Sequence, residues 1–409
     1  MRIRGHFKTK RFATDGKKTE RAPFLGIHVE QLRIWLKVRQ QGEILGDPCQ
    51  TAFRRLVLRP VNQGNFYDLN FYQLADLFAE QGLEIHGPRY LFNWHYKKNR
   101  REPCEIFGLS QKAQKFLQSL NFDLPEITEV LQSADRTVKF RVQLHDGLVV
   151  ETVLLPFQGK YTVCLSSQVG CAMACSFCRT GEQGLKRNLN TSEIVGQLLR
   201  AREWLRTHRP GDERILNVVF MGQGEPLHNF DSVRTAVEIM VDNHGLSLAT
   251  HKITISTAGY LPGLKRWQNE MPEVNLALSL HSTRDELRSQ LIPLNRRYSL
   301  KDILPWIDAI PLGKKRFVTF EYLLLAGVND TDEDARQLGE LLQNRRALLN
   351  LIPFNAYSGS PYSRPSKEQT DRFKIAVDEF KIPTMIRGTK GDQILAACGQ
   401  LTSKDCSQA

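Results

Sequence analysis

The sequence has no apolar run approaching the roughly twenty residues that a helix needs to cross a bilayer. Its first residues are basic and polar, without the apolar core of a signal peptide. No membrane attachment is expected, and the chain reads as a soluble, cytoplasmic protein. A Walker motif and a catalytic-triad signature are both missing, and Gly222-Gln223-Gly224 lacks the third glycine of a dinucleotide fingerprint. Acid is scarce at the start: residues 1–22 hold only Asp15 and Glu20 against Arg2, Arg4, Lys8, Lys10, Arg11, Lys17, Lys18 and Arg21, which reads as a disordered basic arm.

What is present begins with size. The chain has 409 residues, 41% of them hydrophobic, ample for a large core in two or three domains. A formal net charge of +12 favours a polyanionic partner, because phosphate contacts with Lys and Arg release condensed counterions. The eight cysteines, with no secretory signal, are expected to stay thiols. Cys49, Cys104 and Cys406 stand alone, Cys164, Cys171, Cys175 and Cys178 crowd together, and Cys398 is far downstream.

The organisation changes along the chain. Up to about residue 134 it looks helical: Asn70 and Gln73 form a capping pair for the amphipathic run Phe71–Gln81, closed by Gly82. In Arg89–Arg101, Tyr90, Phe92, Trp94 and Tyr96 interleave with basic residues. At helical spacing such aromatics are more often core than base-stacking platforms, and the basic residues that follow are the better RNA contacts. Alternation at Val138–Leu144, a turn at Asp146-Gly147 and a return over Leu148–Leu155 predict a hairpin. From about residue 161, short apolar runs recur at Tyr161–Leu165, Asn217–Met221, Lys252–Ile255, Val274–Leu280, Phe317–Leu325, Leu348–Ile352 and Thr384–Ile386. Helical segments such as Thr191–Arg206, with Thr191 as N-cap, and Asp332–Gln343 separate most of them. The pattern predicts an α/β fold, a whole or partial (β/α) barrel. Polar residues just past the strands, at Gly224-Glu225, Ser256, Ser279, His281 and Asn355, would then share one rim.

Cys171-Ala-Met-Ala-Cys175-Ser-Phe-Cys178 gives a Cx3Cx2C spacing on a loop after a strand. Three thiolates from one loop can cap three irons of a [4Fe-4S] cube and leave the fourth iron open. That iron can chelate the amino and carboxylate groups of S-adenosylmethionine, and one-electron reduction then yields a 5′-deoxyadenosyl radical. A structural zinc site would need a second Cys or His hook, which neither Cys164 nor Cys398 supplies.

The chain from about residue 68 to 401 resembles the RlmN/Cfr family of radical S-adenosylmethionine RNA adenine methyltransferases. The likeness rests on Thr162-Val-Cys164-Leu-Ser-Ser-Gln-Val-Gly-Cys171, the cluster loop, Gly184-Leu-Lys-Arg-Asn-Leu189, Met221-Gly-Gln-Gly-Glu-Pro226, Ile255-Ser-Thr-Ala-Gly259, Leu278-Ser-Leu-His281 and Ala397-Cys398-Gly-Gln-Leu401. The resemblance implies a partial radical-SAM barrel over 161–401, an N-terminal helical RNA-binding accessory domain over 68–134 and a small β-extension over 135–160. A basic extension over 1–67 precedes these and a short tail over 402–409 follows.

By the same resemblance, Cys171, Cys175 and Cys178 hold the iron–sulfur cluster. Gly224, Glu225, Ser256, Ser279, Leu280, His281 and Asn355 contact S-adenosylmethionine. Cys398 accepts a methyl group, Glu151 takes the ring proton, and Cys164 releases the product through a transient disulfide with Cys398. The implied substrate is an adenosine ring carbon in RNA, 23S rRNA first and tRNA second. The implied electron donor is a flavodoxin or ferredoxin system, and the enzyme is expected to be a monomer. Thr180-Gly181 and Leu325-Ala-Gly-Val-Asn-Asp330 match the carbon-8 branch, whereas Pro226 and Leu351-Ile-Pro-Phe-Asn355 match the carbon-2 branch, so both carbons stay open. Two other readings are a radical enzyme acting on a protein or peptide and a zinc-stabilised RNA-binding module.

Overall fold

The structure, a computed structural model, describes residues 64–100, 108–211, 214–313 and 316–403. The basic arm, Cys49, Cys104, Cys406 and most of the 402–409 tail lie outside them.

The described chain opens with helices. Helix α1 (Phe71–Glu80) starts at the anticipated capping box: the Gln73 N–H donates to Asn70 Oδ1 at 2.8 Å, and the Asn70 N–H to Gln73 Oε1 at 2.9 Å. Helix α2 (Gly87–Phe92) runs into a π-helical turn at Asn93–Lys97, and α3 (Gln111–Leu117) is capped by Ser110. Phe92, Trp94 and Tyr96 are buried, and Phe92 and Tyr96 pack against Phe66, so most of the aromatics of 89–101 serve the core, and only Tyr90 is exposed.

Strands β1 (Glu126–Gln132), β2 (Val138–Gln143) and β3 (Val149–Phe157) form an antiparallel meander, with Gly147 in the left-handed region at the expected turn. Strand β1 is a correction, since it falls inside the 68–134 stretch expected to be helical. A bulge between Ile127 and Glu129 interrupts its alternation, which hides the period-2 signal.

The remainder alternates strand and helix. Strand β4 (Lys160–Cys164) is followed by a small antiparallel pair, β5 (Gln168–Gly170) and β6 (Leu185–Asn188), that flanks the cysteine loop. Then come α4 (Thr191–His208), β7 (Ile215–Phe220), α5 (Phe230–Val241), β8 (Ile253–Thr257), α6 (Leu261–Glu270) and β9 (Asn275–Ser279). Helices α7 (Asp285–Leu291) and α8 (Leu300–Asp308) precede β10 (Val318–Leu324), α9 (Asp332–Leu342), β11 (Ala347–Pro353), α10 (Lys367–Asp378) and β12 (Thr384–Ile386). All seven anticipated strands are present. The N-cap of α4 is Asn190 rather than Thr191, because Glu193 stands three residues after Asn190 and accepts its N–H at 2.9 Å, closing the capping box.

The large sheet runs β1-β2-β3-β4-β7-β8-β9-β10-β11-β12, parallel from β4 onward and unclosed among the described residues. It is a partial barrel extended at one edge by the antiparallel meander. Buried Val163, Val218, Ile255, Leu278, Phe320 and Leu351 form its core, and the strand C-termini share one rim.

Candidate active site

The cysteine loop leaves the rim after β5. Gly170 is required at its root: it sits at φ 75°, and a Cβ there would lie 1.8 Å from the Gly184 carbonyl oxygen, which accepts the Cys171 N–H at 3.0 Å. Cys171, Cys175 and Cys178 share one apolar cluster with Met173, Phe177, Ala258, Leu291 and Phe354. Tyr362 pairs its hydroxyl with Ser176 at 2.7 Å, and Tyr357 donates to Glu182 at 2.9 Å, fixing the loop to the segment after β11. Burial pushes the Cys171 thiol up to about 12 and raises those of Cys175 and Cys178 as well. A buried thiol loses its proton when metal binds instead. The Cys175 sulfur lies within electrostatic reach of both other thiols.

Among the described residues no three His, Cys, Asp or Glu side chains converge on a single metal ion. Three soft thiol donors on one buried loop are the ligand set that a [4Fe-4S] group takes, one thiolate per iron at separate corners.

The other rim residues lie at or just past the C-terminal ends of β7, β8, β9 and β11. Gly224, at φ 103°, lets the chain after β7 approach Gln168, whose side chain a Cβ would meet at 2.6 Å, and the Gln168 Oε1 accepts the Glu225 N–H at 2.8 Å. Glu225 is buried, and burial pushes its carboxyl up to about 7 although it accepts the N–H groups of Ala258 at 2.8 Å and Leu227 at 3.1 Å. Ser256 lies in β8 and Ser279 ends β9, both half-buried, while Leu280 is fully buried.

His281 adopts φ 58°, rare for a residue with a side chain. Its Nδ1 accepts the Leu323 N–H at 3.0 Å, and its carbonyl accepts Asn329 Nδ2 at 2.7 Å. Burial, reinforced by Arg288, lowers the ring to about 3, so it is neutral with the proton on Nε2.

Cys398 lies in a segment fastened on several sides. Gly399 O accepts the Arg179 N–H at 2.8 Å and Leu401 O accepts the Thr180 hydroxyl at 2.8 Å, which ties the segment to the cysteine loop. Asn355 Nδ2 donates to Cys398 O at 3.3 Å, while Thr389 and Arg364 hold the Asn355 carbonyl at 2.9 and 3.2 Å. The Thr402 N–H donates to Glu151 Oε2 at 2.8 Å. Cys398 is exposed, yet surrounding protein pushes its thiol up.

Cys164, at the end of β4, is buried with Val153, Ala396 and Leu401, and burial pushes its thiol up to about 12 with Cys398 the next contributor. The two thiols, distant in sequence, lie within electrostatic reach of each other but not at bonding distance. Both are free here, so the disulfide expected from resemblance is not a resident bond.

Glu151, on β3, is buried and ion-paired with Lys139 at 2.9 Å. Burial raises its carboxyl, against the opposing pull of Lys139. Sequence reading missed Lys139, although once Asp146-Gly147 sets the hairpin register it falls diagonally across from Glu151 on the same face. It also missed Arg288 and Gln223. Gln223 Oε1 accepts the Glu151 N–H at 3.0 Å, and its Nε2 donates to Ser403 at 3.0 Å.

The profile of the Radical SAM superfamily matches residues 165–339. A dual-specificity RNA methyltransferase RlmN from Pelobacter propionicus is 41% identical over 337 residues, covering 81% of this chain and 93% of that protein. The RlmN of Paracoccus denitrificans is 43% identical over 322 residues, covering 76% and 82%.

The chain belongs to the RlmN family of radical SAM RNA methyltransferases. It is therefore an enzyme that uses a [4Fe-4S] cluster and S-adenosylmethionine. A crystal structure of a radical SAM methyltransferase from Sphaerobacter thermophilus superposes with a TM-score of 0.76 at 36% identity, covering 83% of this chain and all of that one. No described helix is long and apolar enough to cross a membrane.

Proposed function

We propose that this enzyme methylates an adenosine ring carbon in 23S rRNA, with tRNA as a second substrate, using Cys398 as the methyl carrier. The observation that carries this reading is the position of the Cys398 segment, hydrogen-bonded on one side to the cysteine loop and on the other to Glu151. Cys171, Cys175 and Cys178 would hold the cluster, and Gly224, Glu225, Ser256, Ser279, Leu280, His281 and Asn355 would line the S-adenosylmethionine site. The bound cofactors supply a carbon radical, which can attack an electron-poor adenine carbon that ordinary polar methyl transfer cannot.

The chain's own groups do the rest. Cys398 sulfur presents the methyl carbon to the base. Glu151, ionised beside Lys139, accepts the ring proton. Cys164 then gives up its thiol proton and bonds to the Cys398 sulfur as the carbon–sulfur bond breaks; the freed carbon takes up a proton to complete the methyl group, the odd electron would return to the cluster, and external thiols reduce the resulting disulfide. The target base must leave its stack to reach the rim. Residues 68–134 form the RNA-facing accessory part, where Lys97, Lys98 and Arg100 are exposed and Lys98 Nζ and Arg100 Cζ lie 5.4 Å and 4.8 Å from the Trp94 ring centroid. Carbon 2 and carbon 8 of the adenine are both candidate targets. A flavodoxin or ferredoxin would deliver electrons to a monomeric, cytoplasmic enzyme.

Mass spectrometry of RNA from cells with and without the gene reads both the carbon and the nucleotide. Substituting Cys398→Ala should abolish the product while iron content and the cluster's absorbance stay intact. Normal methylation by that variant refutes the carrier role, and a methylated protein with unmodified RNA would favour the peptide reading instead.

A further inference from the structure

Helix α7 carries Arg288, the largest fully buried side chain of the described residues. Its Nε donates to Leu280 O at 3.0 Å, its Nη2 to Ala258 O and Ser279 O at 3.0 Å each, and its Nη1 to Asn295 Oδ1 at 2.5 Å. All four acceptors are neutral. Asp285, the carboxylate whose charge acts on the guanidinium, is exposed and bonds to Asn295, whose Nδ2 it accepts at 2.9 Å. A guanidinium keeps its charge, and a buried charge is costly unless an opposite charge or a full set of hydrogen bonds offsets it. Neutral acceptors offset part of that cost and leave the net charge in place.

The same helix abuts the cysteine loop. Leu291 O, one turn beyond Arg288, accepts the Ser176 N–H at 3.0 Å, and Leu291 and Ala258 pack in one cluster with the three cysteines. The Cys175 sulfur and the guanidinium lie within electrostatic reach of each other.

We propose that Arg288 is a positioning residue that acts as the buried counter-cation of the iron–sulfur cluster and raises its reduction potential. The inference rests on reading Cys171, Cys175 and Cys178 as the cluster ligands. Three thiolates on a four-iron core give an anion, and one-electron reduction adds a further negative charge. A fixed cation in a low-dielectric surround stabilises the reduced form more than the oxidised one. The electron comes from an external one-electron donor, and Arg288 neither gains nor loses a proton.

The test is an EPR-monitored redox titration of the anaerobically reconstituted full chain with dithionite. R288Q should lower the equilibrium constant for reduction at least tenfold, a potential about 59 mV more negative for one electron. R288K keeps the charge but cannot make all four bonds, so it should stay within threefold of wild type. Wild-type protein that holds no cluster refutes the ligand reading itself. A loaded R288Q at the wild-type potential, or R288K displaced as far as R288Q, overturns the counter-cation and leaves a structural clamp. Should R288Q fail to fold, N295D sets a carboxylate against Nη1. The same negative shift supports the inference and an unmoved potential overturns it.

Discussion

Replacing Lys139 by Met isolates what the buried pair contributes. The ammonium lies 2.9 Å from Glu151 Oε1, and each side chain retains only 2% of its accessibility. Removing one partner of such a pair strands the other, at a cost of about 3–5 kcal/mol. Two features limit the loss here. The Thr402 N–H still donates to Glu151 Oε2, and the stranded carboxylate can take up a proton. We expect about 3 kcal/mol at pH 8. The double variant K139M/E151Q leaves no buried charge and keeps an acceptor for Thr402, so it should lie within about 1 kcal/mol of wild type.

The pH dependence has a definite sign. Burial already raises the Glu151 carboxyl above its ordinary value of 4.5, and losing Lys139 raises it further. The folded protein then holds the proton more tightly than the unfolded chain. Stability is fully present below about 4.5 and is lost as pH rises through the folded value. The K139M deficit should therefore shrink on acidification, and the acid limb of the methylation rate should move to higher pH because less Glu151 is ionised. Urea unfolding of wild type, both single variants and the double variant measures the cycle. A coupling energy below about 1 kcal/mol, or a deficit that does not change with pH, refutes the argument.

Two further outcomes are expected. Gly224→Ala puts a Cβ 2.6 Å from the Gln168 side chain at φ 103°, so it should cost about 1–3 kcal/mol in stability and weaken S-adenosylmethionine binding, as calorimetry would show. The double variant K97A/K98A should bind RNA more weakly at low salt, with the slope of log affinity against log salt reduced by about 0.7–0.9 for each phosphate that is no longer neutralised. An unchanged slope would place the RNA elsewhere.

What could be read in the sequence divides along physical lines. The three cluster cysteines sit on one loop, so their linear spacing is nearly their spatial arrangement. The parallel strands were legible because each is buried on both faces and appears as a short unbroken apolar run. The packing of Ala396 and Leu401, on either side of Cys398, against Val153 and Cys164 is different: nothing local in either segment specifies it, and only family resemblance anticipated that distant chain docks on β3 and β4. Arg288 was hidden for a similar reason. Asp285-Glu-Leu-Arg-Ser-Gln-Leu291 has the polarity of a solvated helix, and the ring of carbonyls that draws the guanidinium inward comes from β9 and the turns after β8 and β9. Strand β1 escaped because its bulge broke the alternation that would have announced it.

The raised thiols at the rim bear on how the enzyme withstands oxygen. Peroxide and alkylating agents attack thiolates, and both Cys164 and Cys398 are held as thiols by their surroundings. Small oxidants that reach them meet two sulfurs in their least reactive form. Damage in air should fall first on the cluster, and a protein bleached by oxygen should recover activity once iron and sulfide are restored.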